Sequence, residues 1–331
     1  EKKGSQEEGE AKGQRGTSKE EEEIIVAKNV LKTVVWPRMI EETGKSMKRG
    51  IKSYVGIVIA AASICAAAVA KAEHPNIVVV FNDDQGYQDL GCFGSPNIKT
   101  PRVDQMAAEG MKFTSFMVAS SVCSPSRAAL LTGCYPNRVG VPSVLFPDRG
   151  KGGLPPEHVT IAEMLKSVGY NTAAVGKWHL GDELKYLPTN QGFDSYYGIP
   201  YSNDMFPAST MKYAGDCVFL EGQSHETLKE AFAGKLRNGS NPVSMKNKVP
   251  LMRDEECIEF PADQTTITRR FTDEGIQFIS KSVKEEKPFF LYLAHSMPHI
   301  PLYVSPEFVG KSERGLYGDV IEEIDFNTGR V

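Results

Sequence analysis

At 331 residues the chain can hold one large α/β domain, or that domain plus an appendage. Lys and Arg total 38 against 42 Asp and Glu, a net charge of -4, and the body carries no strongly basic block. Electrostatics therefore make no case for nucleic acid as a partner.

The N-terminal part differs from the rest. Residues 1–23 are rich in Glu, Lys, Gly and Gln and nearly free of large apolar side chains, which predicts disorder. From Met47 the pattern changes: Lys48, Arg49 and Lys52 precede an apolar run from Val55 to Ala70, and Ala70-Lys71-Ala72 offers a small-x-small exit before Glu73. A positive flank, a short apolar core and a small-residue cleavage site make a secretory signal peptide. The run is shorter than the roughly 20 residues that span a bilayer, so no stable membrane span is expected. The expected division is a spurious upstream extension over 1–46, a signal peptide over 47–72, and an exported catalytic region over 73–331, destined for the periplasm, the extracellular space or the secretory pathway.

Asn76 to Phe81 is a continuous β-branched run, which predicts a central strand covered on both faces. Asp83 and Asp84 follow at its carboxyl end, where open α/β sheets place their sites, and paired carboxylates suit Ca²⁺ or Mg²⁺ better than Zn²⁺. Thr100-Pro101 opens a helix predicted to close at Gly110 with Val103, Met106 and Ala107 inward. Met111 to Val118 reads as a strand leading to Cys123-Ser124-Pro125-Ser126-Arg127, after which a helix runs to Gly133. A thiol just ahead of a helix N-terminus, with Arg127 one turn on, reads as an anion site containing a cysteine.

Further along, Thr160-Ile161-Ala162-Glu163 is a capping box for a helix ending near Gly169. A strand over 172–175 leads into Gly176-Lys177-Trp178-His179-Leu180-Gly181. If its geometry continues, Lys177 and His179 project to one side, one as a fixed positive charge and the other as a proton carrier. Residues 186–262 have little periodicity and read as long, specificity-shaping loops, with Ser202 on one of them. An amphipathic helix is predicted over 265–284 with Ile267, Phe271, Phe278, Ile279 and Val283 inward. A buried strand over 289–294 delivers His295 and His299, and an amphipathic helix over 317–325 follows.

Cys123-Ser124-Pro125-Ser126-Arg127 followed by Leu131-Thr132-Gly133 resembles the signature of the type I sulfatases, in which the cysteine is oxidised to Cα-formylglycine. Gly176 to Gly181 resembles a second signature of that family, Asp83-Asp84 its first metal pair, and Ser202 a position near the substrate. His299, by its place relative to the prolines, resembles the family's substrate-contacting histidine, while His295 reads as structural. The resemblance spans residues 76–331. It implies an alkaline-phosphatase-like α/β fold, a mostly parallel central sheet with helices on both faces, incomplete at the C-terminus because the family's Asp-Asn metal pair and second active-site lysine have no counterpart before Val331.

It further implies hydrolysis of sulfate monoesters, aryl sulfates or sulfated carbohydrates, by Cys123, Arg127, Lys177, His179 and His299, with Lys177, Ser202 and His299 on the substrate. Asp83, Asp84 and residue 123 would hold Ca²⁺, or Mg²⁺, and a formylglycine-generating enzyme would be the maturation partner. Two rival expectations stand beside it: a phosphate or phosphonate ester hydrolase of the same fold, and an inactive fragment that at most binds sulfated glycans. With Cys65 lost in the leader and Cys123 modified, Cys92, Cys134, Cys217 and Cys257 remain. Cys217 with Cys257 is the preferred disulfide, and free thiols are the alternative.

Overall fold

The computed structural model describes residues 74–148, 152–233 and 245–331, so the expected upstream extension and signal peptide lie outside the described residues. Seven strands form one sheet in the order β1-β7-β2-β3-β5-β6-β4. They are β1 Ile77–Phe81, β2 Asn171–Lys177, β3 Ser195–Ile199, β4 Tyr213–Phe219, β5 Leu251–Arg253, β6 Glu256–Phe260 and β7 Phe289–Ala294. β1, β7, β2 and β3 are parallel; β5 runs antiparallel to both β3 and β6, and β4 is parallel to β6.

The strand alternation sorts side chains into two cores. Ala174, Tyr196, Phe290 and Tyr292 face one cluster together with Ala128 and Leu131 of helix α2, Cys123–Thr132, and Ala162 and Leu165 of α3, Ile161–Ser167. Ala173, Val175, Tyr197, Leu291 and Leu293 face the other, against Ile267 and Phe271 of α5, Ile267–Lys284. Helices thus cover both faces, as the α/β reading requires. Every residue of β7 is buried, and at roughly 1.5–3 kcal/mol per buried large apolar side chain this strand anchors the sheet. The remaining helices are α1 Pro101–Glu109, α4 His225–Ala233 and α6 Gly315–Thr328.

Helix boundaries follow local chemistry. The Thr160 side chain accepts from Glu163 N–H while Glu163 reaches back to Thr160 N–H, so α3 starts at the predicted capping box. Gly133 (φ 65°) ends α2 in the left-handed conformation that glycine adopts without steric cost. Thr100-Pro101 opens α1, and Asp325 of α6 accepts from Arg102 N–H and Val103 N–H, satisfying first-turn donors of α1 from across the fold.

Several expectations give way. β1 pairs only with β7 among the described strands, so it is an edge strand, and Val78 is 39% exposed. No strand forms over 111–118: no described strand lies beside it, and Met111, Phe113, Phe116 and Met117 are each at least 60% exposed. Met106 and Val283 also face outward. Residues 186–262 contain β3 to β6 and α4, because short, irregular strands lack the periodicity that marks a strand in sequence. Cys217 and Cys257 lie on neighbouring strands as free thiols; the ladder sets Tyr213 opposite Cys257, and a register shift separates that pair from Val218. Among the described residues no helix is long and apolar enough to cross a membrane.

One row of the sheet is unusually bare. Gly176 pairs with Gly198 on one side and Ala294 on the other. A Cβ on Gly198 would lie 1.8 Å from Gly176 O, and one on Gly176 would lie 1.9 Å from Ala294 O, so neither position has room for a side chain.

Candidate active site

The four parallel strands release their chains on the same side of the sheet, and each carries a candidate residue at or past its carboxyl end. β1 gives Asp83 and Asp84, β2 gives Lys177 and His179, β3 gives Ser202, and β7 gives His299. Cys123 comes from the first turn of α2, where unpaired N–H groups and the helix dipole favour negative charge. The predicted geometry put Cys123 ahead of the helix; it is the first helical residue, with Val122 as the extended N-cap.

Lys177 is the hub. Its ammonium, fully buried, donates to Asp83 Oδ2, to Ser202 Oγ at 3.0 Å and to Cys123 Sγ at 3.3 Å. Cys123 Sγ stands where the family's formylglycine would be, and it approaches Asp83 Oδ2 at 3.7 Å. Burial alone would raise the Asp83 carboxyl, but Arg127 and Lys177 outweigh it and hold the group well below the usual carboxylate range. Burial pushes the Cys123 thiol up, with Lys177 offsetting part of that effect.

Arg127 is fully buried behind this cluster. Nη1 donates to Lys177 O at 2.8 Å and to Tyr292 Oη at 3.2 Å, and Nη2 lies 3.5 Å from Asp83 Oδ1. The guanidinium also sits over the Phe81 ring, 5.3 Å from its centroid. Arg127 therefore braces Asp83 and the end of β2, rather than reaching back over the thiol as a solvent-facing fork.

The strand geometry of β2 does not continue to His179, which adopts φ 59°, a conformation costing about 1–2 kcal/mol outside glycine. Its N–H donates to Pro200 O, and its Nε2 meets Leu145 O at 2.9 Å. A carbonyl only accepts, so Nε2 carries the hydrogen and Nδ1 holds a lone pair; Nδ1 is buried without a hydrogen-bond partner. Burial first, then Lys177, keeps this imidazole far more acidic than usual and hence neutral at physiological pH. Leu145 is itself fixed through its N–H to Ser124 Oγ of α2 at 3.1 Å.

His299 lies at the rim. Its Nδ1 meets Ile300 O at 2.6 Å, its Nε2 is 3.8 Å from Asp84 Oδ2, and Ser202 Oγ is 3.4 Å from Nδ1. Buried Asn203 donates to His299 O at 3.2 Å and Pro301 O at 2.9 Å, pinning the loop that carries this histidine. His295 is fully buried, with neither ring nitrogen hydrogen-bonded.

Of the eight predicted residues, Asp83, Asp84 and Cys123 line one pocket, Lys177, Arg127, Ser202 and His299 are joined to them by direct contacts, and Asp84 is the exposed member. A cavity of about 400 Å³ opens beside Asp83, Asp84 and Cys123, and Asn82, whose Oδ1 lacks a hydrogen-bond partner, also lines it. One oxygen of Asp83, Cys123 Sγ and a nitrogen of His299 lie within 4.8 Å of one another, a cluster able to hold a metal ion. The expected metal set had Asp84 in place of His299. Sequence reasoning missed Tyr292, Asn203 and the Leu145 carbonyl. Tyr292 is one apolar residue of a buried run, and a main-chain acceptor leaves no mark in sequence.

Comparison with known proteins agrees with this geometry. A family model described as Sulfatase matches residues 75–331. Human arylsulfatase A is 39% identical over 267 residues, covering 80% of this chain and 49% of that protein. Pig N-acetylgalactosamine-6-sulfatase is 37% identical over 274 residues, covering 78% and 46%. The crystal structure of Ps i-CgsB in complex with k-i-k-neocarrahexaose superposes with a TM-score of 0.61 at 32% identity, covering 78% of this chain and 54% of that one. The chain spans about half the length of these curated relatives. With a family match over nearly all its described residues and four strand ends converging on the signature cysteine, the chain belongs to the sulfatase family.

Proposed function

We propose that the whole protein hydrolyses sulfate monoesters, aryl sulfates or sulfated carbohydrates, in the pocket beside Cys123, after export and after conversion of Cys123 to Cα-formylglycine by a maturation enzyme. The observation that carries this reading is Lys177: one buried ammonium bonded at once to Asp83, Cys123 and Ser202. A buried ammonium in contact with the signature cysteine suits an anionic ester. The names of the relatives, an arylsulfatase and an N-acetylgalactosamine-6-sulfatase, support the same substrate class.

A hydrated formylglycine supplies two hydroxyls on one carbon, one to attack sulfur and one to expel sulfate once deprotonated. A divalent cation supplies charge stabilisation for the sulfate oxygens, and the residues present fit one: Asp83 and Asp84 offer hard oxygens and Asn82 Oδ1 is an unused acceptor beside them. Calcium or magnesium is the ion such oxygens favour.

The chain's own groups then divide the work. Lys177 binds a sulfate oxygen while keeping Ser202 as a second partner. Arg127, out of contact with solvent, keeps Asp83 ionised and fixes the end of β2. His179, neutral with a free Nδ1, can take the proton whose loss drives expulsion of sulfate. His299, with Nδ1–H engaged by Ile300 O, has Nε2 left to contact the sulfate or, as the imidazolium, to give a proton to the departing alcohol.

The test uses the full-length matured protein. Cys123→Ala should abolish turnover of an aryl sulfate, Cys123→Ser should release at most one equivalent of alcohol, and an aryl phosphate should react far more slowly. Mass spectrometry of the peptide around residue 123 should show the aldehyde. Multiple turnovers by Cys123→Ala would overturn the nucleophile assignment, and faster phosphate hydrolysis would overturn the substrate class.

A further inference from the structure

We infer that, while position 123 is still a cysteine, the pocket is a site for a thiophilic divalent cation, Zn²⁺ above all, held by Cys123 Sγ, Asp83 and His299. This goes beyond the hydrolase reading and holds whether or not the protein proves to be a hydrolase.

The donors are on three different elements, the end of β1, the start of α2 and the loop after β7, and they meet with ligand atoms no more than 4.8 Å apart. Tetrahedral Zn²⁺ with sulfur, nitrogen and oxygen ligands needs them roughly 3.4–3.8 Å apart. The Cys123–Asp83 pair is already at 3.7 Å, so His299, at the partly open rim, must close on it while Lys177, which donates to both, withdraws. Asp84 Oδ2 lies 3.8 Å from His299 Nε2, outside the three-donor cluster. One thiolate, one imidazole and carboxylate oxygen form a borderline-soft set that selects Zn²⁺ or Co²⁺ over Ca²⁺. Replacing the sulfur with oxygen leaves the hard donors and shifts the preference back.

Lys177 competes for the same sulfur and carboxylate, but it has Ser202 Oγ at 3.0 Å to retain when an ion takes the other two. Coordination requires the thiolate, so binding releases the thiol proton to solvent. A bound ion also covers the sulfur, so it must leave before anything can react there.

The experiment uses the full-length protein made without maturation, stripped of metal and shown by mass to carry an unmodified Cys123. Co²⁺ serves as the spectroscopic probe. A thiolate-to-Co²⁺ charge-transfer band should rise to an end point at one equivalent, vanish on adding Zn²⁺, and persist in a large excess of Ca²⁺. Cys123→Ser should abolish the band. His299→Ala should weaken Co²⁺ binding by at least roughly tenfold, since even partners outside the ligand shell are worth that much. Independently of any variant's folding, Zn²⁺ should slow alkylation of Cys123 in the wild-type protein while leaving exposed Cys134 unprotected. A band that survives Cys123→Ser, equal protection of both cysteines, or displacement by Ca²⁺ as readily as by Zn²⁺ would overturn the assignment. None of these readouts depends on ester hydrolysis.

Discussion

Lys177 shows how side-chain length becomes chemistry. Its strand, β2, is separated from β1 by β7, yet its ammonium reaches the Asp83 carboxylate across that strand. The two buried histidines matter in a different way. His179 is held neutral, and burial brings His295 down to about 4 from an ordinary 6.5. The unfolded chain protonates both near pH 6.5 while the folded chain refuses, so in that window the unfolded state binds more protons and stability falls as pH drops. His295 alone accounts for about 3 kcal/mol between pH 6.5 and 4. His295→Met should flatten this acid limb and change neutral-pH stability by no more than about 1 kcal/mol, because neither ring nitrogen has a partner to lose. Urea midpoints at about pH 7 and about pH 5 check it, and an unchanged acid limb would refute it. At this scale the motifs were legible: charged and sulfur-bearing residues at fixed offsets announce themselves. Tyr292 and Asn203 did not, because their roles exist only once β7 and the loops after β3 and β7 are brought together.

Carboxylates on α6 tie several elements together. Asp325 accepts from two first-turn N–H groups of α1, Asp319 accepts from Gly310 N–H and Ser312 N–H, and Glu323 accepts from Ser305 N–H and its hydroxyl. Asp325→Ala should cost about 1–2 kcal/mol, the usual worth of a helix N-cap. A lower denaturant midpoint at constant m would register it, and an unchanged midpoint would mean that α1 needs no such partner. The helix hosting these groups was predicted as amphipathic over 317–325, with no role assigned to its carboxylates. Asp325 is engaged by a segment more than 200 residues earlier, and Asp319 and Glu323 by the loop just before the helix, neither of which a helical period encodes. The segment over 111–118 erred the other way: its apolar content signals a strand, but pairing needs a neighbour.

For the molecule as a whole, β1, β2 and β7 of the parallel half were legible because apolar runs mark such strands, and their carboxyl ends predict where a site gathers, whereas β3 was lost in the stretch read as loops. The antiparallel extension through β5 and β6 was not, since strands of three to five residues give too short a window for a period. The bare row of Gly198, Gly176 and Ala294 lies one residue below Lys177. Gly198→Ala should lower the thermal midpoint, equivalent to about 1–3 kcal/mol of overpacking, because the Cβ meets main chain that no rotamer change can move. An unaltered midpoint would show that the strands can part there. Since main chain meets main chain at this waist, the spacing between β3, β2 and β7 works as a gauge that repacking of interchangeable side chains cannot reset. The loops at the rim can therefore be repacked while the ruler that spaces Lys177 against the ends of β3 and β7 keeps its length.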